Sequence, residues 1–124
     1  MVALDTDVLL LAFAFHRDER QAVNRQFLTV VQAYTPVVGI YSVMELLGKL
    51  SFNLSSDRLA QWPLWLQDRY QLTIIYPRTE GINAALFFQR EIVEQPLEKM
   101  QQSGMPFLDG LILSLAEATQ VDLL

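Results

Sequence analysis

Three short stretches of this sequence place carboxylates where chemistry could be done. Asp5, Thr6 and Asp7 follow directly on the apolar residues 1–4. Ser42 and Glu45 follow the apolar run 37–40, three residues apart. Asp109 sits inside Pro106-Phe107-Leu108-Asp109-Gly110-Leu111-Ile112, an acid in an otherwise apolar neighbourhood. Each has a purely structural reading as well. Asp and Thr commonly cap the free amides of a helix start, Ser-x-x-Glu is the pattern of a capping box, and Asp109 could cap the helix it opens. The chemical reading is a shared one: three acids and a hydroxyl form an all-oxygen set suited to a hard divalent cation. Burying Asp109 among apolar residues is expensive unless something pairs with it. Acids gathered without a cation repel one another and destabilise the fold.

What must hold these residues is legible as alternating strands and helices. Residues 1–4 read as a short strand. Val23, Phe27, Val30, Val31 and Tyr34 fall on one helical face, and Thr35-Pro36 ends that helix. A buried strand follows at 37–40, then a helix opened by Ser42 with Val43, Leu46, Leu47 and Leu50 inward. Leu59, Trp62 and Leu66 indicate a further helix that Pro63 must kink or divide. The β-branched run 72–76 is the clearest strand, stopped by Pro77. A longer helix is expected from Glu80 to about Pro96, with Ile82, Ala85, Leu86, Ile92 and Val93 on its buried side, followed by a turn at 101–104. The last helix, about 108–119, buries Leu111, Ile112, Leu115 and Ala116, and 121–124 begin a fourth strand. This alternation predicts an α/β fold, a three-layer α/β sandwich with a central parallel sheet. Ligands of such sheets bind at the carboxyl ends of the strands, beside helix starts.

Composition narrows the function. The 124 residues predict one domain, 1–124, with no repeat or linker. Apolar residues make up 52% and charged residues 19%, which excludes a disordered chain. With no cysteine, zinc–thiolate sites and thiol catalysis are excluded. Fourteen acids against nine Lys and Arg give a net charge of −5, which argues against a basic nucleic-acid coat but not against an acidic, metal-holding pocket. The apolar run 8–15 falls far short of the ~20 residues a membrane helix needs, and Asp5 and Asp7 stand where a signal peptide carries Lys or Arg. No membrane association and a cytoplasmic location are therefore expected. His16, in a polar stretch, reads as solvated surface rather than a catalytic base. Arg17, Arg20, Arg25 and Lys49 read first as an ordinary charged face and second as guides for a phosphate backbone. Phe13, Phe15, Trp62 and Trp65 read as core or dimer surface; no substrate-reading residue is evident.

Taken together and in order, Leu4-Asp5-Thr6-Asp7-Val8-Leu9-Leu10, Tyr41-Ser42-x-x-Glu45-Leu46 and Phe107-Leu108-Asp109-Gly110-Leu111-Ile112-Leu113-Ser114-Leu115-Ala116 resemble the PIN-domain ribonucleases, notably the VapC-like toxins. The similarity extends over essentially the whole chain. It implies a PIN-like sandwich whose acids gather at one crevice, with Asp5, Glu45 and Asp109 as catalytic, metal-binding carboxylates for Mg or Mn. Thr6 and Asp7 are the supporting residues. It further implies hydrolysis of phosphodiester bonds in an RNA substrate, an antitoxin protein partner and a homodimer, the last also favoured by the high apolar content. Two departures stand out. Asp7 occupies a position more often Asn in that family. The family also carries a further acidic or polar residue just after the strand that follows the Asp109 helix, whereas this sequence stops at Leu124, with Asp122 too early to replace it. The C-terminal strand region of the usual domain is thus expected to be missing, which leaves open a catalytically degenerate PIN-like interaction module. A third reading, a haloacid-dehalogenase-like phosphatase with Asp5 as nucleophile and Asp7 as acid/base, lacks the later acidic pair that class requires.

Overall fold

Four parallel strands in the order β3-β2-β1-β4 form the centre of the fold: β1 (Val2–Ala3), β2 (Pro36–Gly39), β3 (Thr73–Ile75) and β4 (Asp122–Leu123). The computed structural model describes residues 1–13, 20–120 and 122–123. The registers Ala3↔Val37, Val38↔Ile74 and Ala3↔Leu123 are all parallel, so each connection must cross over and return the chain to the same starting end. The crossovers are α1 (Thr6–Phe13) and α2 (Gln21–Val31), then α3 (Ile40–Leu50) and α4 (Ser56–Leu59), then α5 (Ala84–Phe87), α6 (Gln95–Ser103) and α7 (Phe107–Thr119). His16, Arg17 and Phe15 lie outside the described residues.

The two faces of the sheet are filled differently because strand side chains alternate. On one face Leu4, Val38 and Ile74 join Leu9, Leu28, Val31, Val43, Leu46, Leu50 and Leu66 in one core. On the other, Ala3 and Val37 pack against Ala116 of α7, while Leu111, Ile112 and Leu115 pack against Tyr41. The result is the expected three-layer α/β sandwich, and all four residues assigned to the buried side of the last helix are buried.

Several boundaries and faces differ from expectation. In α2 the buried side carries Asn24, Leu28 and Val31, while Val23, Val30 and Tyr34 are exposed. Asn24 turns inward because its amide donates to the Val8 carbonyl at 2.9 Å, a polar contact that apolar periodicity cannot reveal. The helix expected from Glu80 begins at Ala84, where the Asn83 side chain accepts from the amides of Ala85 and Leu86. It runs past Pro96 rather than ending there. A π-helical stretch, Phe88–Glu94, joins α5 to α6 without a break, and Pro96 stands in the first turn of α6 directly after it. Ile82, Leu86 and Val93, expected on the buried side, are exposed, and Phe87 and Pro96 are buried instead. Pro63 divides its helix as anticipated: α4 ends at Leu59, and a π-helical turn covers Leu64–Arg69.

α6 and α7 cross closely at Gly110, where a Cβ would stand 3.0 Å from the Pro96 carbonyl oxygen and 3.2 Å from Lys99 Cβ. Gly48, in α3, has open space around it. Gly110→Ala is therefore expected to lower stability by about 1–3 kcal/mol through overpacking, while Gly48→Ala raises it by about 0.5–1 kcal/mol through helix propensity. Urea denaturation of the two variants beside the parent chain checks both signs.

Candidate functional site

Because α1 and α3 leave directly from the carboxyl ends of β1 and β2, their first turns lie at that end of the sheet. α7 leads into parallel β4, so its first turn lies there too. Asp5, Thr6 and Asp7 occupy the start of α1, Glu45 the second turn of α3, and Asp109 the first turn of α7. Asp109 shares a helical face with Ile112 and Ala116, at i+3 and i+7. Since Ala116 packs on Ala3 and Val37, Asp109 stands on the sheet side of α7, beyond the strand ends.

The local bonding separates capping from other roles. Asp5 Oδ1 accepts the amide of the next residue, Thr6, at 2.7 Å, rather than the N2 or N3 amide that a helix cap binds. Ser42 and Glu45 do not form a capping box. The helix begins at Ile40, two residues earlier than expected, with Gly39 in extended geometry as its N-cap, so Ser42 lies inside the helix and is buried. Glu45 instead meets Lys49 one turn on, Oε1 to Nζ 3.4 Å, and the same ammonium stands 3.6 Å from Asp7 Oδ1. Burial works against the Lys49 charge, but Glu45 and Asp7 outweigh it and hold its pKa above the ordinary lysine value. Lys49, read from sequence as a phosphate guide or plain surface, is thus the resident cation of the acidic end.

Asp109 is exposed, not buried among its apolar neighbours, and makes no side-chain cap on α7. Two expectations of it are corrected, the cap and the burial that called for a paired cation: the helix starts at Phe107, and the acid is exposed in its first turn, where the helix dipole favours negative charge. Among the described residues no three His, Cys, Asp or Glu side chains stand close enough together to hold one ion. The topology brings Asp5, Asp7, Glu45 and Asp109 to one end, and the side chains bring only Asp7 and Glu45 together, through Lys49.

Thr6 is the second unusual group. It is fully buried, and its hydroxyl has no hydrogen-bond partner among the described residues. A buried hydroxyl left unpaired is costly. Its place between two aspartates gives the acidic end one more oxygen, and the donor set Asp5, Thr6, Asp7, Glu45 and Asp109 fits a hard divalent cation in donor type. Beside it, Met44, Gly48, Phe52 and Leu108 line an open apolar groove of about 490 Å³ that Glu45 and Lys49 border. Phe52 is 88% exposed.

No protein-family model matches the sequence, and no curated protein matches it. Among solved structures the chain is similar to one described as a toxin-antitoxin complex from Klebsiella pneumoniae. The identity is 16% and the TM-score 0.61, over 99% of this chain and 83% of that one. At that identity the likeness is one of fold. Among the described residues no helix is long and apolar enough to cross a membrane.

Thr6→Val replaces the unpaired hydroxyl by a group of the same shape. In chelator, the variant is expected to be more stable than the parent by about 1 kcal/mol, because the unsatisfied buried oxygen is gone. Thermal or urea unfolding measures the sign.

Proposed function

We propose that the chain is a metal-dependent endoribonuclease of the PIN-like kind, the toxin of a toxin–antitoxin pair. The observation that carries this reading is that three helices, α1, α3 and α7, deliver four acids to the carboxyl end of one parallel sheet, with Lys49 bridging two of them, Asp7 and Glu45. The sequence resemblance to VapC-like toxins supports it, as does a fold shared with a chain from a toxin–antitoxin complex. Asp5, Glu45 and Asp109 are the ligands and catalytic residues in this reading, with Thr6 and Asp7 in support and Mg or Mn as the cofactor. When bound, such an ion lowers the pKa of water and neutralises developing phosphate charge. The chain's own residues then set the conditions for attack. Asp5 is fixed by the Thr6 amide, Glu45 is held on the second turn of α3, and Asp109 stands exposed in the first turn of α7. Lys49 is positioned to release Glu45 and Asp7 when a stronger cation arrives, and its charge remains beside an incoming phosphodiester.

The partners belong to the same proposal. An antitoxin segment with an apolar side and a basic tip suits the groove of Met44, Phe52 and Leu108, whose rim carries Glu45. A second copy of the chain suits the exposed Leu86, Phe88, Val93 and Leu97. The Lys49 bridge favours a second reading, a degenerate PIN-like interaction module, because it already satisfies Glu45 and Asp7 without any metal.

Cleavage of a defined single-stranded RNA in manganese decides between them. The chain, with and without excess chelator, is compared with Asp5→Asn, Glu45→Gln and Asp109→Asn. The nuclease reading expects metal-dependent cuts that fall on the order of 10²-fold or more in each variant, as loss of one charge-stabilising group does. Absence of cutting by the parent chain, with folding intact, favours the interaction module.

A further inference from the structure

A second polar constellation lies across α7 from Asp109. Between the exit of edge strand β3, the π-helical stretch and α7 is a cleft of about 190 Å³. Pro77, Leu111 and Leu115 give it apolar walls, and Tyr41, Arg78 and Glu91 supply its polar groups. It is smaller than the roughly 300–1,000 Å³ of drug-sized sites but has their composition, apolar surface with a few placed polar groups. That is room for one ring system.

The three polar groups are unspent. Tyr41 is 7% exposed, yet its hydroxyl makes no hydrogen bond among the described residues. Arg78 and Glu91 line the same cleft without forming an ion pair, with each other or with any other described residue. The hydroxyls of Ser114 and Thr119, which also border the cleft, are already used: they donate to the Gly110 and Leu115 carbonyls at 2.8 and 2.7 Å. Burial, and after it the Glu91 carboxylate, push the Tyr41 phenol above its ordinary pKa, so it stays a donor. The cleft thus offers an acceptor pair, a neutral donor and a cation around an apolar slot.

A carboxylate accepts two parallel hydrogen bonds best. Among the four RNA bases only guanine presents two adjacent donors, N1–H and N2–H, on its Watson–Crick edge, with the O6 acceptor beside them. Adenine, cytosine and uracil each place an acceptor next to their single donor group there, which would face the carboxylate and repel it. Single-stranded RNA exposes that edge to proteins. Tyr41 and Glu45 stand at i and i+4 on α3, about 6 Å apart, so the cleft opens one helical turn from the acidic end. We infer that this cleft is a guanine-binding pocket for single-stranded RNA, in which Glu91 accepts from the base N1–H and N2–H, Tyr41 donates to O6, and Arg78 attracts the flanking phosphate. The inference rests on the ribonuclease reading for its choice of nucleic acid, and it assigns that reading a base preference at one side of the cut.

The test uses the whole chain in chelator, with GMP, AMP, CMP and UMP as the probes and the methyl groups of Leu111 and Leu115 as NMR reporters. GMP is expected to shift both methyls saturably and to bind at least tenfold more tightly than the other three. Glu91→Gln, in a half-buried position that tolerates the amide, should lose that preference, and Tyr41→Phe should weaken GMP severalfold while keeping the fold. Equal shifts for all four nucleotides, no shift for GMP, or a Glu91→Gln variant that still prefers GMP each overturn the pocket. Because no metal is present, failure of RNA cleavage leaves the pocket standing. A chain that cuts RNA but binds the four nucleotides alike overturns the pocket alone.

Discussion

Parallel pairing of very short strands is the constraint on which the rest of this structure depends. A ladder of two to four residues per strand contributes few hydrogen bonds, and each connection is long because a parallel pair cannot be closed by a hairpin. The sheet is therefore held by what packs on its faces, and those helices are forced to start at the same end. The acidic residues share one end of the sheet for this reason. None of Asp5, Glu45 and Asp109 needs a contact with another to arrive there, since each is delivered by its own crossover.

Delivering like charges to one place carries an electrostatic cost that the chain meets locally. Lys49 lies one turn after Glu45 on the same helix, so a single side chain neutralises its own helix neighbour and an acid from α1. Such a pair on a half-exposed lysine adds little stability. What it does is keep Glu45 oriented along α3 rather than turned back toward the helix start. The remaining acids, exposed at helix N-termini, are stabilised by the helix ends themselves.

Much of this was legible in the sequence, and the misses have identifiable causes. The strand cores at 2–3, 37–39 and 73–75 and the buried face of α7 follow from apolar runs and 3.6-residue periodicity, which report burial directly. α2 was misread by about one residue's rotation because Asn24, a buried polar group, takes a place that the pattern reserves for an apolar one. Pro96 marked a false helix end because the π-helical stretch runs straight into it and the helix continues as α6. At the site, the positions of Asp5, Glu45 and Asp109 follow from strand and helix order alone. Lys49 as their counter-ion, and the cleft of Tyr41, Arg78 and Glu91, do not. They depend on which side chains meet across elements far apart in sequence, and spacing carries no record of that.

The π-helical stretch between α5 and α6 adds a point about length. It closes its hydrogen bonds five residues back where an α-helix closes four, so it accommodates surplus residues within a helix that continues in register on either side. Losing one residue between 88 and 94 would let the helix wind normally, and about 100° of rotation per residue would then redistribute between the two ends. Glu91 reaches α7 from this stretch, while Pro96 is pinned against Gly110 just beyond it. The direction in which the carboxylate faces is thus governed by a count of residues as much as by their identity, which makes this short stretch a place where a single insertion or deletion re-aims a side chain without breaking the fold.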